Sequence, residues 1–308
     1  MPGRHNSNAP VACRRRTLAS VSLLLASSLA ASCASRPEAF RPATLEEAPL
    51  LFATVDGHRV AYRAAGLGGP TVVFVHGWTC DMSSWKYQFP AFAKTHRVIA
   101  LDLPGHGASD KPDATYSMDL FARAVDGVLA ADGAKRVVLV GHSMGAMVVR
   151  QFYRLHKDRT AALVVVDGAL RPFIQDPAAV DRFLAPYRGP DFRKTQAAFV
   201  DAMVPEREGE LREQLKRVML STPQQVVVSA GQGMFDPAIW KDDNIWIPLL
   251  AVYAKSPLWS EDYETAVHKM APLVHYRVFE GVGHFLMLEK PDLFNAALSA
   301  FLADLPRR

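Results

Sequence analysis

The sequence predicts an α/β protein: a mostly parallel central sheet flanked by helices, with a helical cap insertion. Three observations lead there. Short, continuous apolar runs alternate with segments of helical spacing, the pattern of buried parallel strands joined by crossover helices. One of those runs, Val137-Val138-Leu139-Val140, passes straight into Gly141-His142-Ser143-Met144-Gly145 and then into a helix-like stretch from Ala146 to Lys157. The alternation then breaks between about Leu170 and Ile247, where helix-like pieces follow one another without an intervening strand.

Residues 1–35 stand outside this pattern. Arg14, Arg15 and Arg16 precede an uncharged run of apolar and small residues from Thr17 to Ala31. A basic segment before an apolar one too short for a comfortable membrane span reads as a secretory signal. Leu29-Ala30-Ala31-Ser32-Cys33 resembles a bacterial lipobox, with Ala30 where leucine is usual, and would make Cys33 a lipid anchor. Arg15-Arg16-Thr17-Leu18 resembles a twin-arginine export signal. The expectation is therefore export: a periplasmic, lipid-anchored or secreted protein.

Setting this segment aside changes the charge argument. The formal charge of +4 includes four arginines, and no acid, within residues 1–32, so the chain from Cys33 onward is neutral. A neutral chain offers no electrostatic case for nucleic acid or an anionic membrane surface. What remains is long enough for one large core plus an insertion. Cys13 and Cys33 belong to the signal, so Cys80 is expected to be unpaired and no disulfide framework supports the fold.

The elements follow in order. Leu51 to Val55 and Arg59 to Ala64, separated by Asp56-Gly57, predict an antiparallel hairpin at one edge of the sheet. Thr71 to Val75, Arg97 to Leu101, Val137 to Val140 and Ala162 to Val166 read as strands buried on both faces. Met118 to Ala131 has helical spacing and stops at Asp132-Gly133. Pro248 to Tyr253 and His275 to Phe279 supply two late strands, with a helix near Asp262 to Met270 between them and an amphipathic helix, Pro291 to Leu302, at the end. The core is thus expected over residues 45–169 and 248–308. Residues 170–247 are too many for a simple loop. Arg182 to Tyr187, Phe192 to Met203 and Glu208 to Leu220 are its helix-like pieces, separated by Pro186, Pro190, Pro205 and Pro223, and form a cap over the strand ends.

A serine between two glycines at a strand-to-helix turn matches the G-x-S-x-G nucleophile elbow. The turn is tight enough to strain the serine backbone and lift its Oγ clear of the sheet, and it leaves no room for side chains two residues to either side. With this elbow, His76-Gly77-Trp78, the Asp102-to-Gly107 loop, and Gly283-His284 before Glu289-Lys290-Pro291, in that order, the chain resembles the α/β-hydrolase fold family over nearly all of its length after the signal.

The resemblance implies a serine hydrolase of the esterase or lipase branch. Ser143 is the expected nucleophile, since a hydroxyl attacks only when a base relieves it of its proton. His284 is that base: it follows the last strand on a flexible loop, and it comes after the serine as the family order requires. Backbone N–H groups of Met144 and Trp78 are the expected oxyanion hole. The other histidines, including His76, His106 and His142, are expected to be structural or solvent-facing, with the His142 side chain pointing away from its neighbour Ser143.

The acid departs from the commonest family pattern. Some 28 positions ahead of the histidine, where most relatives carry a carboxylate, this sequence has Ser256 within Ala254-Lys255-Ser256-Pro257-Leu258. Asp167 after the sixth strand, Asp262 or Glu261 just beyond the usual loop, or no functioning acid are the alternatives. Serine as nucleophile opposes haloalkane dehalogenase and epoxide hydrolase chemistry, which in this superfamily need aspartate there. An ester or lactone is the expected substrate. C–C or amide bond hydrolysis, cofactor-free perhydrolysis and a silent binding protein remain open beside it. Phe192, Phe199, Phe235, Trp240, Trp246 and Trp259 make the cap aromatic-rich. No metal-ligand spacing or phosphate loop is present, so no cofactor or metal is expected.

Overall fold

The computed structural model describes residues 41–205 and 208–306. Residues 1–35, read from the sequence as an export signal with Cys33 as its lipid anchor, lie outside the described residues. Eight strands form one sheet in the order β1-β2-β4-β3-β5-β6-β7-β8. They are β1 (Leu50–Val55), β2 (His58–Ala65), β3 (Thr71–Val75), β4 (Val98–Leu101), β5 (Val137–His142), β6 (Thr160–Val166), β7 (Leu249–Ala254) and β8 (Val274–Phe279). β1 pairs antiparallel with β2 and β2 with β4, while every pairing from β4 through β8 is parallel.

The apolar runs become central strands because both faces of each are covered. Val72 and Phe74 of β3, Val138 and Val140 of β5, and Val164 and Val166 of β6 join a core with Trp85, Phe89 and Phe294. The residues between them, Val73, Val75, Leu139, Leu163 and Val165, enter the opposite core with Phe121 and Phe152. Alternate side chains of a strand point to opposite faces, so an uninterrupted apolar run is what a doubly covered strand needs. The helices that cover it are α1 (Gln88–Phe92), α2 (Met118–Asp132), α3 (Met144–Leu155), α8 (Glu261–Met270), the short α9 (Leu286–Glu289) and α10 (Pro291–Asp304). Ser117 caps α2, its side chain accepting from the Leu120 N–H, and Gly133 ends it in the left-handed region at φ 75°.

Between β6 and β7 lie α4 (Pro177–Arg188), α5 (Phe192–Met203), α6 (Gly209–Met219) and α7 (Gln224–Phe235). Two features differ from the expectation. Pro186 sits inside α4 rather than separating two pieces. Near a helix end, proline removes few intrahelical bonds. α7 had no counterpart in the sequence reading because Val226-Val227-Val228 and Gly231 and Gly233 are poor helix formers. Burial of Val226, Val227, Ala230 and Met234 overrides that local preference.

The loops after β3 and β4 are fixed by buried polar groups. His76 donates from Nδ1 to Gly77 O (2.8 Å) and accepts from the Leu103 N–H at Nε2 (2.9 Å). His106 donates to Pro104 O (3.0 Å) and accepts from the Thr79 N–H (3.3 Å). Asp102 accepts from the N–H groups of Met82 (2.8 Å) and Ala108 (2.7 Å). Burial pushes His76 down to about 4 and His106 down to about 3, and pushes the Asp102 carboxyl up to about 7.

The signs oppose each other. The unfolded chain takes up protons on the two histidines as pH falls below about 6.5, while the folded chain refuses them until about 4 and 3, so stability is lost on acidification. Asp102 contributes stability below about 3.8 that is lost as pH rises towards 7. Two histidines outweigh one carboxyl. The unfolding midpoint, followed by circular dichroism, should therefore fall between pH 6.5 and pH 4, and His106→Gln should flatten that slope; an unchanged slope in the variant counts against these assignments.

Candidate active site

Five strand ends, those of β3, β5, β6, β7 and β8, supply the site, all at the C-terminal edge of the sheet. Ser143 occupies the turn between β5 and α3 with φ 52° and ψ −118°, and its N–H donates to Val166 O (3.0 Å). A non-glycine residue in this region is strained by about 1–3 kcal/mol. The surrounding backbone enforces it. A Cβ on Gly141 would lie 2.3 Å from Gly145 O, and one on Gly145 would lie 2.4 Å from Val75 O. Ser143 is partly exposed while His142 and Met144 beside it are buried.

Asp167 follows β6 in the same backbone region, at φ 45°. Its Oδ2 lies 2.6 Å from Nδ1 of His284. Its Oδ1 accepts from the Ala254 N–H (2.9 Å) and from the indole N–H of Trp259 (2.8 Å). The carboxylate is thus nearly closed off from solvent, at 6% side-chain exposure, with a donor for each oxygen. This arrangement defines the His284 tautomer: Nδ1 carries the proton and Nε2 keeps its lone pair. The His284 loop is anchored as well. Its backbone N–H donates to Met203 O at the end of α5 (3.2 Å), and the Gly283 N–H meets the Glu289 carboxylate.

The expected residues are therefore distributed as follows. Ser143, His284, Asp167 and Trp78 line one cavity of about 510 Å³. Met144 is the first residue of α3, so its N–H is among the amides that lack an intrahelical acceptor and lies at the favourable end of the helix dipole. The Trp78 N–H has no partner among the described residues, and its indole both lines the cavity and packs against Phe183, Tyr187 and Phe199. Asp262 and Glu261 are exposed in the first turn of α8, and neither contacts His284.

Three participants were missed from sequence. Trp259 had been assigned to the cap but donates to Asp167 from the segment that in most relatives carries the acid. Thr79 holds φ 60°, unusual for a β-branched residue, with its hydroxyl on Trp78 O (2.7 Å). His142 is buried, and its Nε2 lies 2.9 Å from the carbonyl oxygen of His284. Only the oddity of Ser-Pro-Leu-Trp where an acid is expected could have signalled the first.

The cavity is apolar. Phe173, Phe183, Phe199, Met203, Met219 and Met234 form much of its wall. Of the six cap aromatics named from sequence, Phe199 and Trp259 reach it, and Trp246 is 64% exposed elsewhere. Among the described residues, Lys255 is the one lysine or arginine that lines it, and its ammonium is paired with Glu280 (2.7 Å). Cys80 also lines it as a buried free thiol, pushed up to about 12 by burial and so not a thiolate. Among the described residues, no group of three or more His, Cys, Asp or Glu is arranged to hold a metal ion.

Comparison with known proteins agrees with this architecture. An acetyltransferase component of the acetoin cleaving system from Cupriavidus necator is 28% identical over 260 residues, covering 82% of this chain and 68% of that protein. Epoxide hydrolase A of Mycobacterium tuberculosis is 38% identical over 113 residues, a stretch that spans 36% of this chain and only 35% of that protein. The solved structure of a thermophilic esterase from Thermogutta terrifontis superposes with a TM-score of 0.73 at 25% identity, covering 84% of this chain and 99% of the esterase. The family model for alpha/beta hydrolases matches residues 72–297. With the sheet order, the elbow and this match in agreement, the chain belongs to the alpha/beta hydrolase family.

Proposed function

We propose that this protein is a serine hydrolase that cleaves a carboxylic ester or lactone through an acyl-enzyme on Ser143. The observation that carries the reading is the 2.6 Å contact between His284 Nδ1 and Asp167 Oδ2 in a cavity that Ser143 also lines. Ser143 Oγ attacks the carbonyl carbon while His284 Nε2 takes its proton. The N–H groups of Met144 and Trp78 receive the oxyanion. The tetrahedral intermediate collapses, the bond to the alcohol oxygen breaks, and His284 returns the proton to the leaving group. Water, deprotonated by the same imidazole, then releases the acid. Asp167 keeps the imidazole in the Nδ1–H tautomer and offsets its charge as it forms.

Other readings are weaker on specific grounds. The silent binding protein drew on the lack of an acid after β7, and Asp167 beside His284 answers that lack. Epoxide opening, named for one relative, needs a carboxylate where this chain has Ser143. Met147, Met203, Met219 and Met234 around the cavity weigh against perhydrolysis, whose peracid product oxidises thioethers. Export, to a periplasmic, Cys33-anchored or secreted state, is part of the proposal for where the reaction occurs.

Treatment with a fluorophosphonate should leave an adduct on the peptide bearing Ser143 and abolish esterase activity; an unlabelled Ser143 in folded protein favours the binding protein. Asp167→Asn should lower kcat by about four powers of ten, because the imidazole then takes the wrong tautomer. Asp262→Asn should leave it within twofold or so, as expected of an exposed group. The reverse ranking would move the acid to α8. Across p-nitrophenyl esters of graded length, each added methylene should raise kcat/KM by up to about fourfold, the equivalent of ~0.8 kcal/mol, until the cavity is full. A preference for acetate would contradict an acyl group seated in that cavity.

A further inference from the structure

We infer that His142 is a positioning residue for the proposed reaction: its Nε2–H, bonded to the carbonyl oxygen of His284, holds the loop that presents the imidazole to Ser143. The inference rests on the catalytic reading of Ser143 and His284 given above.

An imidazole aimed only by Asp167 at Nδ1 still pivots with its own backbone. The loop before it contains Gly281, in the left-handed region at φ 68°, and Gly283, so it has little stiffness of its own. Both backbone polar groups of His284 are held: the N–H by Met203 O at 3.2 Å and the carbonyl by His142 Nε2 at 2.9 Å. His142 is in turn immobile, being fully buried with its ring 4.7 Å from that of His284 and 4.9 Å from that of Phe285. One residue thus links the backbone of the nucleophile turn to the backbone of the base.

The other ring nitrogen shows what this link costs. Because Nε2 faces a carbonyl it must carry the proton, which leaves Nδ1 a bare acceptor, and Nδ1 has no hydrogen-bond partner. It lies where a Cβ on Gly77 would come within 3.1 Å. An orphaned buried acceptor is destabilising, a penalty that an apolar side chain in the same space would avoid. The structure accepts that cost at the residue next to the nucleophile and obtains one bond from it, to His284. Burial, with His284 nearby, also holds His142 well below the ordinary histidine range, so it stays neutral beside a ring that gains charge during the reaction.

The test compares steady-state kinetics of His142→Phe, which keeps a ring without a donor, His142→Leu, which removes the donor without overpacking, and His142→Gln, which restores an N–H at similar reach. Each is also made in a His284→Ala background. The donor-free variants should lose about tenfold to a hundredfold in kcat with KM within threefold, as expected from a misplaced base. His142→Gln should recover most of that loss, and no His142 change should matter once His284 is alanine. Full kcat in His142→Leu, or a His142→Gln as impaired as His142→Leu, overturns the inference while leaving the hydrolase reading intact. Activity that survives His284→Ala overturns the hydrolase reading itself.

Discussion

The site depends on a backbone crossing that leaves no space for side chains. Where β5 turns into α3, the main chain passes so close to β3 and to the loop after β6 that a single methyl group at any of three glycines meets backbone. At Gly141 it meets Gly145 O at 2.3 Å, at Gly145 it meets Val75 O at 2.4 Å, and at Gly168 it meets Ser143 O at 2.6 Å. Packed cores do not absorb such overlaps by small shifts. The contact forces Ser143 into its left-handed conformation, turns its side chain out of the sheet, and brings the ends of β3, β5 and β6 together. The strand order also reverses beside β3, so the loops after β3 and β4 diverge from those after β5 and β6 and leave the crevice in which open α/β sheets place their sites.

Given that crossing, moving the acid from one strand to its neighbour is a small change. β6 and β7 are paired in parallel, Val166 opposite Val252, and the Asp167 N–H bonds to Val252 O at 2.8 Å. Adjacent strands lie about 4.8 Å apart, a distance that a carboxylate side chain and a positive φ can span. Asp167 thus reaches the position that a carboxylate after β7 would otherwise hold. The β7 loop keeps a role by supplying donors: the Ala254 N–H and the Trp259 indole occupy Oδ1, leaving Oδ2 for His284. Hydrogen bonds to a charged group contribute about 1.5–3 kcal/mol each, enough to hold a nearly buried carboxylate in one orientation.

This division explains which parts of the molecule were legible in the sequence. The strands were, because double burial writes itself into local composition: Val137 to Val140 has no polar residue to interrupt it. The elbow was, because its steric demand falls on residues two positions from Ser143. His284 was readable from chain order and its glycine-flanked loop. The proposed acid was legible only as Asp167 with Asp262 and Glu261 as alternatives, because Asp167 and His284 are 117 residues apart and several carboxylates meet the local requirements. The partner of His142 was hidden for a related reason. A residue beside a nucleophile does point away from it, but what it then meets is decided by a distant loop. α7 was hidden because its valines and glycines argue against a helix until Leu184 and Trp78 pack against it.

The histidines show how one ring is singled out for proton transfer. His76, His106 and His142 are fully buried, and desolvation holds each neutral well below its ordinary range. Each keeps a fixed tautomer by donating to a carbonyl, so none has a reason to gain charge near neutral pH. His284 alone has a carboxylate at Nδ1 and 21% of its side chain open to the cavity. In the proposed reaction, positive charge therefore has one stable location. Were His142 charged, two cations with rings 4.7 Å apart would oppose the very protonation that catalysis requires. The apolar wall of the cavity reinforces this: among the described residues its one lysine or arginine, Lys255, is already paired to Glu280, and apolar surroundings screen the contact between Asp167 and His284 poorly. In the proposed reaction, the same low polarity that would favour an apolar acyl group would also strengthen the contact between Asp167 and His284.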